Sequence, residues 1–255
     1  MYRNLLLLWV LIPFGSAWSQ CQGPLVPFYD GETIRMEVYY HWGPLWLRAA
    51  RVELKTRERS QEGVRTWEFL ATGHTLPSYD WFFKVRDTFK ASVRQKDFRP
   101  LTALRKTSEG GAETFNLYQF DPQRGQIFIS SQNHKRPFKK EKHTFKGCLF
   151  DLLSGAYFAR TFDYSHQAPG LKIPLNVAVD DKIYEVYFEF EGYEKTSLRD
   201  GTTRRLYRFS APTLEGTVFR GNERIVVWVT DDGRNLPLKV EAKILVGSVQ
   251  AFWVP

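Results

Sequence analysis

Apolar and polar residues alternate with a period of two in segment after segment of this chain. That period belongs to β-strands with one face buried and the other wet. Ile34, Met36, Val38 and Tyr40 alternate with Arg35, Glu37 and Tyr39. Past the turn residues Gly43-Pro44, the pattern resumes through Trp46, Ala50, Val52 and Leu54. From Val85 onward, Val85, Asp87, Phe89, Ala91 and Val93 face one way, and Arg86, Thr88, Lys90, Ser92 and Arg94 the other. Tyr184, Val186, Phe188 and Phe190 alternate with Glu185, Tyr187, Glu189 and Glu191, a half-buried strand with an acidic outer face. A chain patterned this way folds as mainly β.

The C-terminal stretch adds shape. Leu236, Leu238, Val240, Ala242, Ile244 and Val246 share one parity, whereas Val249, Ala251 and Trp253 share the other. A one-residue slip at Gly247 reads as a β-bulge that bends a long strand. Strands bent on purpose suit a curved sheet. One segment, "CLFDLLSGAYFARTF", has helical period instead, with Leu149, Leu152, Leu153, Ala156 and Tyr157 on one face. Asp151 near its start and Arg160 near its end complement the helix dipole. "SYDWFF" (78–83) reads as a short helical turn at a corner. The expected fold is a curved antiparallel sheet, a half-barrel, wrapping one central helix, with residues 20–255 as a single β-rich domain.

The first residues stand apart. Arg3, the apolar run Leu5 to Phe14 and the small-x-small triplet Ala17-Trp18-Ser19 form a signal peptide over 1–19, cleaved near Ser19-Gln20. The run falls short of the roughly 20 residues that cross a bilayer, so the mature chain is expected in the periplasm or secreted and not membrane-spanning. Two cysteines remain after export, Cys21 and Cys148. The even count favours a disulfide between them, and two unconnected thiols is the other reading. The net charge of +8 favours an anionic envelope partner such as lipid head groups or acidic glycans. Nucleic acid is not expected in that compartment. Basic residues are densest in "HKRPFKKEKH", His134 to His143.

"GETIRMEVYYHWGPLWLRAARVEL", "YDWFFKVRDTF", "EGGAETFNLYQFD", "CLFDLLSGAYFAR" and "WVTDDGRNLPLKVEAKILVGSV" together resemble domain-of-unknown-function family 3108, over essentially the whole mature chain. The resemblance implies an exported bacterial protein with a sheet similar to the half-barrel of periplasmic lipoprotein carriers. It implies no reaction and no catalytic residues.

Motifs for chemistry are sparse. There is no G-x-S-x-G elbow, no P-loop and no dinucleotide fingerprint. The five histidines are too dispersed in sequence for a metal site, and no metal or cofactor is expected. Glu189 and Glu191 could form a carboxylate pair for glycoside hydrolysis, although their run with Glu185 reads better as a solvated face. Aromatics make up 16% of the chain. Trp42, Trp46, Trp81, Phe82 and Phe83 crowd at turns and corners beside Lys84 and Arg86, and these seven are the candidate ligand-binding residues. The expected role is non-enzymatic binding or carriage of an amphiphile: a lipid, a lipoprotein acyl chain or a lipid-linked glycan. The alternative is an envelope module with a filled interior that docks protein or polysaccharide through its outer face.

Overall fold

The computed structural model describes residues 21, 25–61, 63–213, 223–244 and 247–255. The expected signal segment and Val246 lie outside them. Eight strands come first: β1 (Thr33–Trp42), β2 (Leu45–Gln61), β3 (Val64–Thr75), β4 (Arg86–Arg94), β5 (Pro100–Glu109), β6 (Ala112–Asp121), β7 (Gln126–Asn133) and β8 (Arg136–Thr144). A two-residue strand, β9 (Leu149–Phe150), then leads into helix α1 (Leu152–Arg160). The chain continues through β10 (Leu171–Val179), β11 (Lys182–Ser197), β12 (Thr203–Pro212), β13 (Arg224–Val229), β14 (Pro237–Lys243) and β15 (Ser248–Val254). A 3-10 turn, Pro77–Tyr79, occupies the corner before β4.

All fifteen strands belong to one long sheet in the order β8 back to β1, then β15 back to β9. Neighbouring strands are antiparallel except β9 with β10, which are parallel across the α1 crossover. Because β1 pairs with β15, the order runs consecutively around a ring and is interrupted only between β8 and β9. The sheet is therefore open at one seam.

Register defines two faces across β3 to β7. Phe69, Ala91, Ala103, Tyr118 and Ile129 are successive cross-strand partners, all buried, and they mark the core face. Helix α1 packs against β3 and β4 on one side and β9 and β10 on the other. The Tyr157 ring stacks on Phe69 at 3.7 Å and Phe158 on Phe150 at 4.6 Å. Phe28, from the segment before β1, inserts edge-on against Trp67, Phe69 and Tyr157 at 5.3–5.6 Å. Asp151 caps the helix, accepting from the Leu153 and Ser154 amides, while Ser154 returns a hydroxyl to the Asp151 amide.

Three expectations are corrected. The helix buries Leu153, Ser154, Tyr157, Phe158 and Arg160, whereas Leu152 and Ala156 face outward. Leu149 belongs to β9, so a helical phase counted from it points the wrong way. Trp46 does not continue the face of Ala50 and Val52. Val38 pairs with Ala50 but Tyr39 with Arg48, and the bulge at Ala49 turns Trp46 onto the Tyr39 ring at 5.9 Å. Lastly, Gly247 is no bulge in a bent strand. Lys243 pairs with Ser248 and the Ile244 amide donates to Gly247, so β14 and β15 form a tight hairpin. Partners across that hairpin sum to an odd number, and the apolar parity must flip there without any bulge.

Gly247 is still demanding. Its φ is +80°, and a Cβ there would lie 2.3 Å from the His41 carbonyl oxygen. Gly247→Val is expected to destabilise the protein by about 1–3 kcal/mol. A thermal melt superimposable on that of the parent protein would contradict the hairpin geometry.

Candidate functional site

Alternation places a second set of side chains on the face opposite the core, the back face. Thr72, Thr88, Lys106, Phe115 and Gln132 form one continuous cross-strand row there. Two residues along each strand lies a second row, in which His74 opposes Arg86, Ser108 opposes Glu113, and the His134 amide donates to the Glu113 carbonyl. Between the rows runs a cavity of about 710 Å³ lined by both. Gly73, together with Asp87, Thr107, Thr114 and Asn133, which share its core-face parity, completes the lining as its floor. The result is a trough crossing five strands, roughly 19 Å from β3 to β7 at the usual strand spacing. Its volume lies in the range of small-ligand sites.

The lining is polar and carries mixed charge. Arg86 is fixed at the end wall by Asp80 at 2.5 Å and by the Thr75 hydroxyl at 3.1 Å. The Arg86 guanidinium, then the Thr75 hydroxyl, hold the Asp80 carboxyl below the usual carboxylate range. Lys106, His74, Glu113, Gln132 and His134 are exposed to solvent. Asp87 differs. Burial, and then the neighbouring Glu109 carboxyl, push its pKa up to about 7, while the Ser108 amide donates to it at 3.2 Å. With Asp87 titrating at about 7 and Arg86 paired with Asp80, the trough presents Lys106 against Glu113.

This shift has a consequence for stability. Between the ordinary aspartate value and about 7, the folded protein binds one proton more at Asp87 than the unfolded chain does. Its contribution to stability is full below the ordinary aspartate value and is lost progressively as pH rises from there to about 7. Asp87→Asn, which keeps the acceptor for Ser108, is expected to melt close to the parent protein near pH 4 and at a higher temperature near pH 8. Calorimetric melts at both pH values check this; an equal difference at both would refute it.

The seven residues singled out from sequence divide into two groups. Trp42 and Trp46 lie on the β1–β2 hairpin, with Trp42 half exposed. Trp81 and Phe82 stand 83% and 77% exposed at the corner before β4, their rings 5.9 Å apart. Phe83 packs against Gly110, and the Lys84 carbonyl accepts from the Gly110 amide. Of the seven, Arg86 alone lines the trough. Among the described residues no ring contact joins the two groups of aromatics. Thr72, Lys106, Phe115 and Gln132 went unread from sequence. The parity of Arg86, Thr88 and Lys90 was visible there, but which residues of β3, β5 and β7 align with them was not. Glu189 and Glu191 are each matched to a cation, Arg224 at 3.3 Å and Arg208 respectively, as a solvated acidic face requires.

At the turn between β10 and β11, Arg105 of β5 reaches Asp180 at 2.8 Å and Arg136 of β8 reaches Asp181 at 3.2 Å. A smaller cavity of about 270 Å³ lies there, lined in part by Asn116, Phe138, Asp180 and Asp181. The expected disulfide joins Cys21 to Cys148, with both residues buried.

The model of a family described as "Protein of unknown function (DUF3108)" matches residues 35–253. The chain belongs to that family. The DUF3108 match spans β1 to β15 and so takes in every strand that walls the trough. No curated protein matches the chain. Among solved structures, the DUF3108 chain is similar to a beta-barrel-like protein of domain of unknown function DUF1849 from Brucella abortus. The TM-score is 0.54 at 7% identity, covering 87% of this chain and 94% of that one. At that identity the likeness concerns fold alone, and it agrees with a barrel-like sheet left open at one seam.

Proposed function

We propose that this DUF3108 protein is an exported, non-enzymatic binding module of the cell envelope that takes an extended, polar, anionic glycan across the trough. The observation that carries the reading is the trough itself. Two polar rows cross five strands and place Lys106, which has no carboxylate partner among the described residues, where acidic sugar substituents would meet it, with the Asp80-paired Arg86 at the end wall. Hydrogen-bonding side chains spaced along a shallow groove suit a chain of hydroxyls better than an acyl tail. An acyl-chain carrier draws less support, because α1 and Phe28 fill the core face from inside. In this reading the sheet curves around α1, the signal peptide directs the chain to the periplasm, and the single domain of 20–255 works by its outer surface.

Calorimetric titration with a hyaluronan hexasaccharide, maltohexaose and dihexanoylphosphatidylglycerol tests the proposal. Saturable binding of the acidic saccharide is expected, weakened about tenfold by Lys106→Ala through loss of one charge-assisted hydrogen bond. Binding of the phospholipid alone, or of none of the three, would overturn it.

One observation favours a second reading. Asp87 and Glu109 lie close enough to share a proton, and a carboxyl protonated near neutrality is what a glycan hydrolase uses as general acid. Reducing-end release from the same saccharides, abolished by Asp87→Asn, would establish that reading in place of simple binding.

A further inference from the structure

Below the trough the back face changes character. Lys90, Leu104, Leu117, Ser130 and Lys140 are successive partners across β4 to β8. The next row runs Ser92, Thr102, Gln119, Phe128 and Lys142. Phe128 and Phe138 are 44% and 53% exposed, although Ile127 and Ile129, beside Phe128 in the chain, are completely buried on the core face. Lys142 extends over the Phe128 ring at 5.7 Å and Lys140 over Phe138 at 5.9 Å. Among the described residues, Lys90, Lys106, Lys140 and Lys142 have no carboxylate within ion-pair distance. The two rows contain no acidic residue.

From this we infer that the back face of β4 to β8 docks on an anionic lipid surface. Two exposed phenyl rings on one sheet face, each beneath a lysine that has no carboxylate partner among the described residues, mark an interaction site. Rings ringed by unpaired lysines fit an interface in which the rings enter the headgroup layer and the ammonium groups meet phosphates. The free edge of β8 is a poor site for adding a partner strand. Lys139 and Glu141 point to the other side of that strand as an ion pair at 2.6 Å, a device that blunts edges. The inference does not rest on the trough reading, since it uses different residues.

Vesicle flotation of the mature chain tests it, with phosphatidylcholine vesicles alone and with about one third phosphatidylglycerol. Binding is expected only to the anionic vesicles, falling at least tenfold as salt rises from roughly 0.05 M to 0.3 M. Lys140→Glu/Lys142→Glu should lower it tenfold or more. Lys182→Glu/Lys195→Glu, with the same change in net charge, should lower it less than twofold. Phe128→Ser/Phe138→Ser should weaken binding without altering its salt dependence. Equal losses in the two charge-reversal pairs would reduce the effect to net charge and overturn the inference. So would absence of binding, or binding to polyglutamate as tight as to vesicles and indifferent to the phenylalanines. Thermal melts of each variant establish that it is folded.

Discussion

Reduced protein, or the Cys21→Ser/Cys148→Ser double variant, is expected to lose about 5 kcal/mol of stability. The bridge closes a loop between residues 127 apart in sequence, and loop-closure entropy grows with that length. At this chain length the loss lowers Tm by roughly 10–20 °C. It should also loosen the segment from Leu25 to Glu32, whose Phe28 ring lies between α1 and β3. Non-reducing peptide mapping and paired melts with and without reductant measure both effects. An unchanged Tm in reductant, with the thiols shown to be free, would mean that Phe28 packing alone holds the segment.

Glu32→Ala is expected to cost about 3–5 kcal/mol, because it strands a buried guanidinium. Arg160, at the C-terminal end of α1, donates to both Glu32 oxygens at 2.8 and 2.9 Å, with side-chain exposures of 7% and 2%. The same arginine lies over the rings of Phe28 and Tyr157, and the Asn235 side chain donates to its carbonyl at 2.7 Å. One ion pair thus ties the N-terminal segment, the helix and the β13–β14 turn together. Removing both charges is gentler than removing one. Glu32→Leu/Arg160→Met should therefore recover a substantial part of the loss seen in Glu32→Ala. Chemical denaturation of the three proteins decides; a Glu32→Ala protein as stable as the parent would show that the pair is not needed.

Much of the architecture could be read from residue order, because period-two burial is a local property. The Val85–Arg94 alternation became β4 with the faces as read, and Asp151 to Arg160 became the helix with its cap. Errors arose where one local pattern has two non-local causes. A parity flip at Gly247 is produced equally by a bulge and by an even-membered hairpin, and only the Lys243–Ser248 pairing tells them apart. Trp46 was misplaced for the complementary reason, since a bulge at Ala49 leaves no mark in composition. The trough was out of reach altogether: it exists only when Thr72, Thr88, Lys106, Phe115 and Gln132 are brought into register. Isolated aromatics at turns, by contrast, are conspicuous in any sequence, and they drew attention to the corner rather than the groove beside it.

The ring-like order of the strands has a kinetic side. Every adjacent antiparallel pair but one joins strands consecutive in the chain, so those hairpins can form with little loss of chain entropy. The exception is β1 with β15, whose partners Arg35 and Val254 come from opposite ends of the polypeptide. Among the described strand pairs that contact has the highest separation, which makes its zipping the natural last step of assembly. Until it forms, two unpaired strand edges stand open to a second nascent copy, and exchange of halves between molecules becomes the characteristic misfolding hazard of this topology.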